Sequence, residues 1–361
     1  MYKIYQIWES TMLNISNILK YPTLNLLSIG KKSFENLGQI ISKTGKTILR
    51  WLQPSKVSLE YAQYLCQSMF RNKKKLLCII DDTLIKKIYS AEMQGAGMFY
   101  DSKIGKEIMA YKLIICLISD GKFAMPIECA YLFSKELLDL IPEKFRSKED
   151  IAKNFVNVAI KLFGKERIIV VADGLYATVS LLKWCKDNQI AAEMRMHSNR
   201  VVIFKGEKTS IKMLASRRKI QPKGRQMART ITALWHNIEL EITIVRRIDK
   251  KGIETIVFQA ATYKALPHEH ALNYNKRWAI EKMIRTSKQQ LGLQDCYSRS
   301  LETQHNHVAT VLLSYALVQL DMKKYRFKTP EQAIRRFKKK NANALFRRIE
   351  RIDQSYEYRY A

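Results

Sequence analysis

Acidic residues are scarce in this chain of 361 residues: 33 Asp and Glu stand against 63 Lys and Arg, a formal charge of +30. That deficit points to a polyanion partner, because neutralising phosphates releases counterions and drives binding whatever the base sequence. An anionic membrane surface is the competing partner. Long apolar runs are missing too: stretches such as residues 113–118 have strand length and fall far short of a bilayer span. The opening MYKIYQIWESTMLNI lacks a basic start followed by an apolar core, so no secretory signal is expected. The six cysteines, at 66, 78, 116, 129, 185 and 296, form no CxxC pair, and no nearby His spacing completes a zinc site. Reduced thiols in a cytosol are the plain reading. The pairs His268/His270 and His305/His307 sit at i,i+2, which points them to different sides of a helix, so surface or capping roles are favoured over metal binding. No internal repeat or long low-complexity linker is present. What the chain does have is a hydrophobic fraction of 47%, which excludes a disordered basic tail. At roughly 100–200 residues per domain, it has room for two or three folded units.

Residues 1–72 read as a helical domain, broken by Pro22, Gly30, Gly38 and Gly45. Helix-like runs at 34–42 and 46–52 flank Lys43-Thr44-Gly45. A helix-turn-helix would place Lys46, Thr47 and Arg50 in a DNA groove, whereas an ordinary helical hairpin would leave them on a solvated basic face. From about residue 73 the pattern changes. Residues 76–80, 113–118 and 168–172 are continuous apolar runs that suit strands buried on both faces. Helical periodicity at 150–163 and 175–186 makes the whole an α/β core.

Residues 197–261 break that rhythm. Ile238, Leu240, Ile242 and Ile244 alternate with Glu239, Glu241 and Thr243, the pattern of a half-buried antiparallel strand, and 254–261 looks like another. Between them and the core, residues 212–229 hold seven bases and no acid. The segment reads as a β-rich insertion with a basic loop. Two helices are expected at 273–291 and 303–320. Residues 322–351 then carry twelve bases and two acids, within a basic C-terminal tail taken as 322–361.

Three acids stand out. Asp81 and Asp82 in CIIDDT, and Asp173 in IIVVADG, follow apolar runs, at the strand ends where α/β sheets collect active groups. Either could also be an ordinary turn acid. Glu281 lies in NYNKRWAIEKMIRTSKQQL, which is free of Gly and Pro until Gly292. At about 100° per residue, Tyr274, Arg277, Glu281, Arg285 and Lys288 share one stripe of the expected helix, beside the apolar face made by Ile280, Met283, Ile284 and Leu291. A solvated, salt-bridged stripe is the alternative, since Arg277 and Glu281 form an i,i+4 pair.

The spacing Tyr274-x2-Arg277-x3-Glu281-x6-Lys288 matches the Y-x2-R-x3-E-x6-K signature of a large group of bacterial insertion-sequence DDE transposases. The resemblance extends through RSLETQHNHVATVLLSYAL and back to VVADGLYAT and IIDDT, covering most of residues 75–320. It implies a ribonuclease-H-like catalytic core over 73–321, interrupted by the β-rich insertion. It also implies three carboxylates, Asp81, Asp173 and Glu281, holding two Mg²⁺ ions, with Mn²⁺ able to substitute. The family's first Asp stands in D-x-T, which selects Asp81 because Thr83 is two residues on; Asp82 is the runner-up. Tyr274, Arg277, Arg285 and Lys288 would contact phosphates of the transposon end. Some relatives stack an insertion-domain Trp on a flipped base; Trp235 is the candidate here, against the commoner role of a strand Trp in the core.

The expected function is therefore a transposase acting on double-stranded DNA. It would recognise terminal inverted repeats, cut there and join the DNA to a target, as a homodimer across paired ends, in the bacterial cytoplasm on the nucleoid. Carboxylate oxygens suit Mg²⁺, and two ions can stabilise both oxygens of an in-line displacement at phosphorus. The rival readings are a transposase relic that binds DNA as a repressor and a nuclease that cuts without joining.

Overall fold

A computed structural model describes residues 33–39, 43–52, 59–88, 92–134, 146–217, 228–248 and 252–338, with Leu137 and six positions between 21 and 28. The expectations for residues 1–20, for the basic link at 218–227 and for 339–361 lie outside the described residues.

The centre of the molecule is a mixed sheet. Strand β1 (Leu76–Lys86) pairs antiparallel with β3 (Lys106–Ser119) on one side and parallel with β5 (Ile168–Ala172) on the other. The far edge of β3 is shared: β2 (Gly97–Asp101) takes its first residues and β4 (Ala124–Leu132) the rest. Beyond β5 lies β6 (Ala191–Met196), again parallel. The run of pairings β4-β3-β1-β5-β6, two antiparallel and then two parallel, is consistent with the ribonuclease-H-like arrangement that the resemblance implies. The apolar runs explain the middle of this sheet, since every residue of 76–80 and 168–172 is buried.

Helices cover both faces. Helix α1 (Phe34–Gln39) and α2 (Gly45–Arg50) come first, followed by α3 (Glu60–Phe70). Helix α4 (Lys148–Phe163) opens with a capping box, in which the Ser147 hydroxyl accepts from the Asp150 N–H and the Asp150 carboxylate accepts from the Ser147 N–H. It stops at Gly164, whose φ of 84° few other residues adopt at low cost. Helix α5 (Val179–Asp187) is capped by Thr178 and crosses from β5 to β6.

The strands expected within 197–261 are present: β7 (Val201–Phe204), β8 (Glu207–Ser210), β9 (Ala228–Trp235), β10 (Ile238–Ile248) and β11 (Glu254–Ala261), with a short helix α6 (Ile211–Ser216). They continue the central sheet, because β11 pairs antiparallel with β6. The tight turn between β9 and β10 is His236-Asn237, both at positive φ, the two-residue geometry whose twist suits a hairpin.

Three expectations change. The strand at 76–80 runs on to Lys86, so Asp81 and Asp82 lie inside β1 rather than after it, held there by pairing with Ile115 and Ile114. The single helix at 273–291 is two helices, α7 (Pro267–Asn275) and α8 (Trp278–Gln290). Between them the backbone bonds tighten to i,i+3, with Arg277 N–H donating to Tyr274, Ala279 to Lys276 and Ile280 to Arg277, each at 3.0 Å. The last expected helix is longer, α9 (Leu301–Tyr325), and the supposed tail begins inside it and continues as α10 (Pro330–Lys338). Helix α10 is fastened by Arg336, whose Nη1 donates to both carboxylate oxygens of the buried Asp321.

At the N-terminal end, α1 and α2 close on each other: a Cβ at Gly38 would stand 2.3 Å from the Lys43 carbonyl oxygen. Leu37 and Ile48 bury themselves with Tyr21, Leu24 and Leu52 in a small apolar cluster of their own, leaving Lys46 and Arg50 exposed. Among the described residues, no helix is long and apolar enough to cross a membrane.

Candidate active site

The parallel pairing of β1 with β5 sets the site. Ile80 stands opposite Ala172, so the next residues, Asp81 within β1 and Asp173 just past the end of β5, stand side by side. Asp173 then heads a tight turn, Gly174–Tyr176. Helices α7 and α8 bring the other members. The Tyr274 hydroxyl, in the last turn of α7, donates to Asp173 Oδ1 at 3.3 Å. Arg277, at the junction, donates through Nη1 to Asp81 Oδ2 at 2.7 Å and through Nη2 to Glu281 Oε1. The guanidinium carbon also lies 5.7 Å from the centre of the Tyr274 ring.

Burial controls the electrostatics here. The Asp81 carboxyl is pushed up to about 6, first by desolvation and further by the neighbouring Asp82 and Asp173. Arg277 and the Asp82 N–H, which donates to Asp81 Oδ1 at 2.9 Å, oppose that rise without cancelling it. Burial acts to lower the Arg277 guanidinium, yet Asp81, Tyr274 and Glu281 outweigh it and hold the group above its ordinary value.

Alternation along β1 turns Asp82 away from Arg277, although Asp81, Asp82 and Glu281 all line one cleft. There Lys148 Nζ of α4 lies 2.5 Å from Oδ1, Lys112 Nζ of β3 lies 3.6 Å from Oδ2, and the Tyr176 hydroxyl is 3.5 Å from Oδ1. Lys148 sits over the Tyr176 ring at 4.0 Å. Asp81 and Asp82 are therefore distinguished by their partners: the Tyr-Arg-Glu residues gather at Asp81.

Asp81 and Glu281 line a cleft of about 910 Å³ between α8 and the β2–β3 hairpin. Its other walls include Lys282, Arg285 and Lys288 from α8, Lys86 and Lys103 from the strand side, and the exposed rings of Trp278 and Tyr100. Lys288 donates to the Leu84 carbonyl at 2.7 Å, and burial, with Lys103 and Lys86 nearby, draws its ammonium down to about 8.

The structure separates the remaining candidates. Trp235 ends β9 with only 2% of its surface exposed and Arg200 packed 5.6 Å from its ring. That ring packs in the core, the commoner of the two roles weighed for it from the sequence. Lys46 and Arg50 are one turn apart on α2, on the small N-terminal cluster. His270 and His307 are both fully buried and hydrogen-bonded, His270 to Glu193 at 3.2 Å and His307 to Tyr21 and the Gly292 carbonyl, each at 2.8 Å.

Two groups escape sequence reasoning. Lys112, Lys148 and Tyr176 carry no spacing that links them to Asp82. Beneath α7, the buried Glu193 of β6 accepts from the Tyr263 hydroxyl at 2.9 Å, and Asn273 of α7 donates to that same hydroxyl at 3.2 Å. Burial raises the Glu193 carboxyl, against the pull of His270 and Tyr263. The one available signal is an acid inside the apolar run 190–194.

Asp81, Asp173 and Glu281 offer oxygen donors only, the set that suits a hard divalent cation. Among the described residues, however, no three His, Cys, Asp or Glu side chains stand close enough to ligate one ion. Arg277 fills the space between Asp81 and Glu281. The donor chemistry fits a hard divalent ion, and the position between Asp81 and Glu281 is held by the guanidinium.

No curated protein matches the chain. Residues 148–317, from the start of α4 into α9 and including Asp173 and Glu281, match the family model described as the transposase DDE domain, and that match supports a DDE transposase.

Proposed function

We propose that the protein is the transposase of a bacterial insertion sequence, which binds the element's terminal inverted repeats, cuts there and joins the freed end to target DNA. The observation that carries this reading is the parallel register that leaves Asp81 beside Asp173, with Glu281 tied to Asp81 through Arg277. Asp81, Asp173 and Glu281 would hold Mg²⁺, two ions in all, with Mn²⁺ able to substitute. Such ions supply Lewis-acid stabilisation of the attacking and leaving oxygens at phosphorus.

The chain's own residues bind and orient the substrate. Lys282, Arg285 and Lys288 give α8 a cationic edge along the cleft, and Lys103 faces it from the hairpin, so a phosphodiester backbone is gripped from both walls. Arg277 can bind a phosphate in two-point fashion, and Tyr274 steadies Asp173. One such site serves water as the nucleophile for nicking and a 3′-hydroxyl for joining, with no covalent protein–DNA intermediate. Lys46 and Arg50 are candidates for a second DNA contact. A homodimer across paired ends, acting on the nucleoid, completes the proposal.

The test is cleavage of a labelled duplex carrying the DNA that flanks the gene, in Mg²⁺, by wild type beside Glu281→Ala. Cutting and joining by wild type alone supports the transposase. Cutting without joining leaves a nuclease, and binding without cutting by either protein leaves a repressor.

A further inference from the structure

We infer that Arg277 is a displaceable resident cation: its guanidinium holds the carboxylate site closed until DNA draws it off, so that metal and DNA bind cooperatively. This rests on the function just proposed, and it concerns the order in which the site is filled.

The argument starts from placement. Among the described residues, Arg277 is the one base bonded to two of the three acids, reaching Asp81 at 2.7 Å and Glu281 through its other terminal nitrogen. Its side chain is only 14% exposed, so the pair interaction is little screened. A guanidinium and a divalent ion cannot share the same carboxylate oxygens, and each repels the other at this range. Arg277 sits where α7 ends and α8 begins, and the residues it touches or adjoins, Asp81, Glu281 and Trp278, line the open cleft, so a phosphate entering there meets the guanidinium's partners. A phosphodiester offers the guanidinium a two-point anionic partner through its two non-bridging oxygens, and the incoming metal replaces the charge that the carboxylates lose. Once it has swung to DNA, Asp81 and Glu281 are free to accept an ion, and by linkage a bound ion must strengthen DNA binding by the same factor. The protein thus carries little metal until it holds substrate, which restrains cutting in free solution.

The experiment titrates Mn²⁺ into the full chain without DNA and follows the free ion by electron paramagnetic resonance. Wild type, Arg277→Gln, Arg277→Lys and Asp81→Asn are compared, with thermal unfolding to verify folding. Arg277→Gln is expected to bind Mn²⁺ at least about tenfold more tightly than wild type. Arg277→Lys, which keeps the charge but cannot span both carboxylates, should fall between them and carries the test if the Gln variant does not fold. Adding the flanking duplex should tighten Mn²⁺ binding by wild type and leave Arg277→Gln unchanged. Equal affinities for wild type and both Arg277 variants, with Asp81→Asn still weakening binding, overturn the inference while sparing the metal site. Mn²⁺ binding that is absent throughout, or indifferent to Asp81→Asn, overturns the proposed metal site and this inference with it.

Discussion

Two adjacent acids of β1 line one cleft and meet different partners: Asp81 is bonded by Arg277 from the helix junction, whereas Asp82 is bonded by Lys148 of α4 and faced by Lys112 of β3. Both are half-buried carboxylates on the same strand, one residue apart. The partners differ in kind. Lys112 and Lys148 come from the middle of a strand and the first turn of a capped helix, and both serve the one carboxylate. Arg277 stands at a break between helices and alone joins two carboxylates. Asp82 keeps a cation when either lysine is lost, whereas losing Arg277 strips its side-chain partner from Asp81 and Glu281 together.

The strongest way to break that comparison is to remove each acid in turn. Asp81→Asn should lower cleavage at least about a thousandfold, with DNA binding retained, because the basic surface is untouched. Asp82→Asn should keep cleavage within about tenfold of wild type and register mainly as a lower unfolding temperature. Equal losses of activity would erase the distinction between the two acids.

The next effect is on stability in the absence of metal. Arg277→Ala leaves Asp81 and Glu281 facing each other without compensation and should cost about 2–3 kcal/mol by denaturant unfolding, with recovery on adding Mn²⁺. Lys148→Ala should cost about 1 kcal/mol, since Lys112 still serves Asp82, and should not respond to Mn²⁺.

A smaller effect tests the cleft wall. The Lys288 ammonium has a folded pKa drawn down to about 8, below its unfolded value. The charged form is thus disfavoured in the folded chain, and stability should rise as pH climbs from about 8 toward 10. DNA affinity should fall over the same window as that positive charge is lost. Lys288→Gln should abolish both trends and reduce the salt dependence of DNA binding by about one phosphate contact. The smallest change is expected from Trp235→Phe, which should leave cleavage within about twofold and shift only the unfolding temperature.

The parts legible in the sequence were those written in a local pattern. Residues 168–172 form β5 with the bounds their apolar run gives, and 254–261 form β11. Strand β4 was not legible, because Pro126 and a shift of register at Cys116–Leu117 interrupt any simple alternation. The break at Lys276–Arg277 was equally hidden: neither Gly nor Pro marks it, and tertiary bonds from Arg277 to Asp81 and from Arg247 to Asn275 reward the tighter turn. The three acids could be picked from motif and spacing. What stands between them could not, since the place of a guanidinium among carboxylates depends on contacts between residues 196 positions apart.

The seam between β6 and β11 has an evolutionary consequence. Met196 and Phe258 are paired neighbours, so the chain enters the inserted strands and comes back from them at one point of the sheet. A segment whose two ends meet can be lengthened, trimmed or exchanged while the β5–β6 pair keeps its place. The limit on such tinkering is α7, which rests across β6, β9, β10 and β11. Lineages are free to vary the outer strands β7 and β8, whereas losing β9 or β10 would take away the floor on which Tyr274 stands.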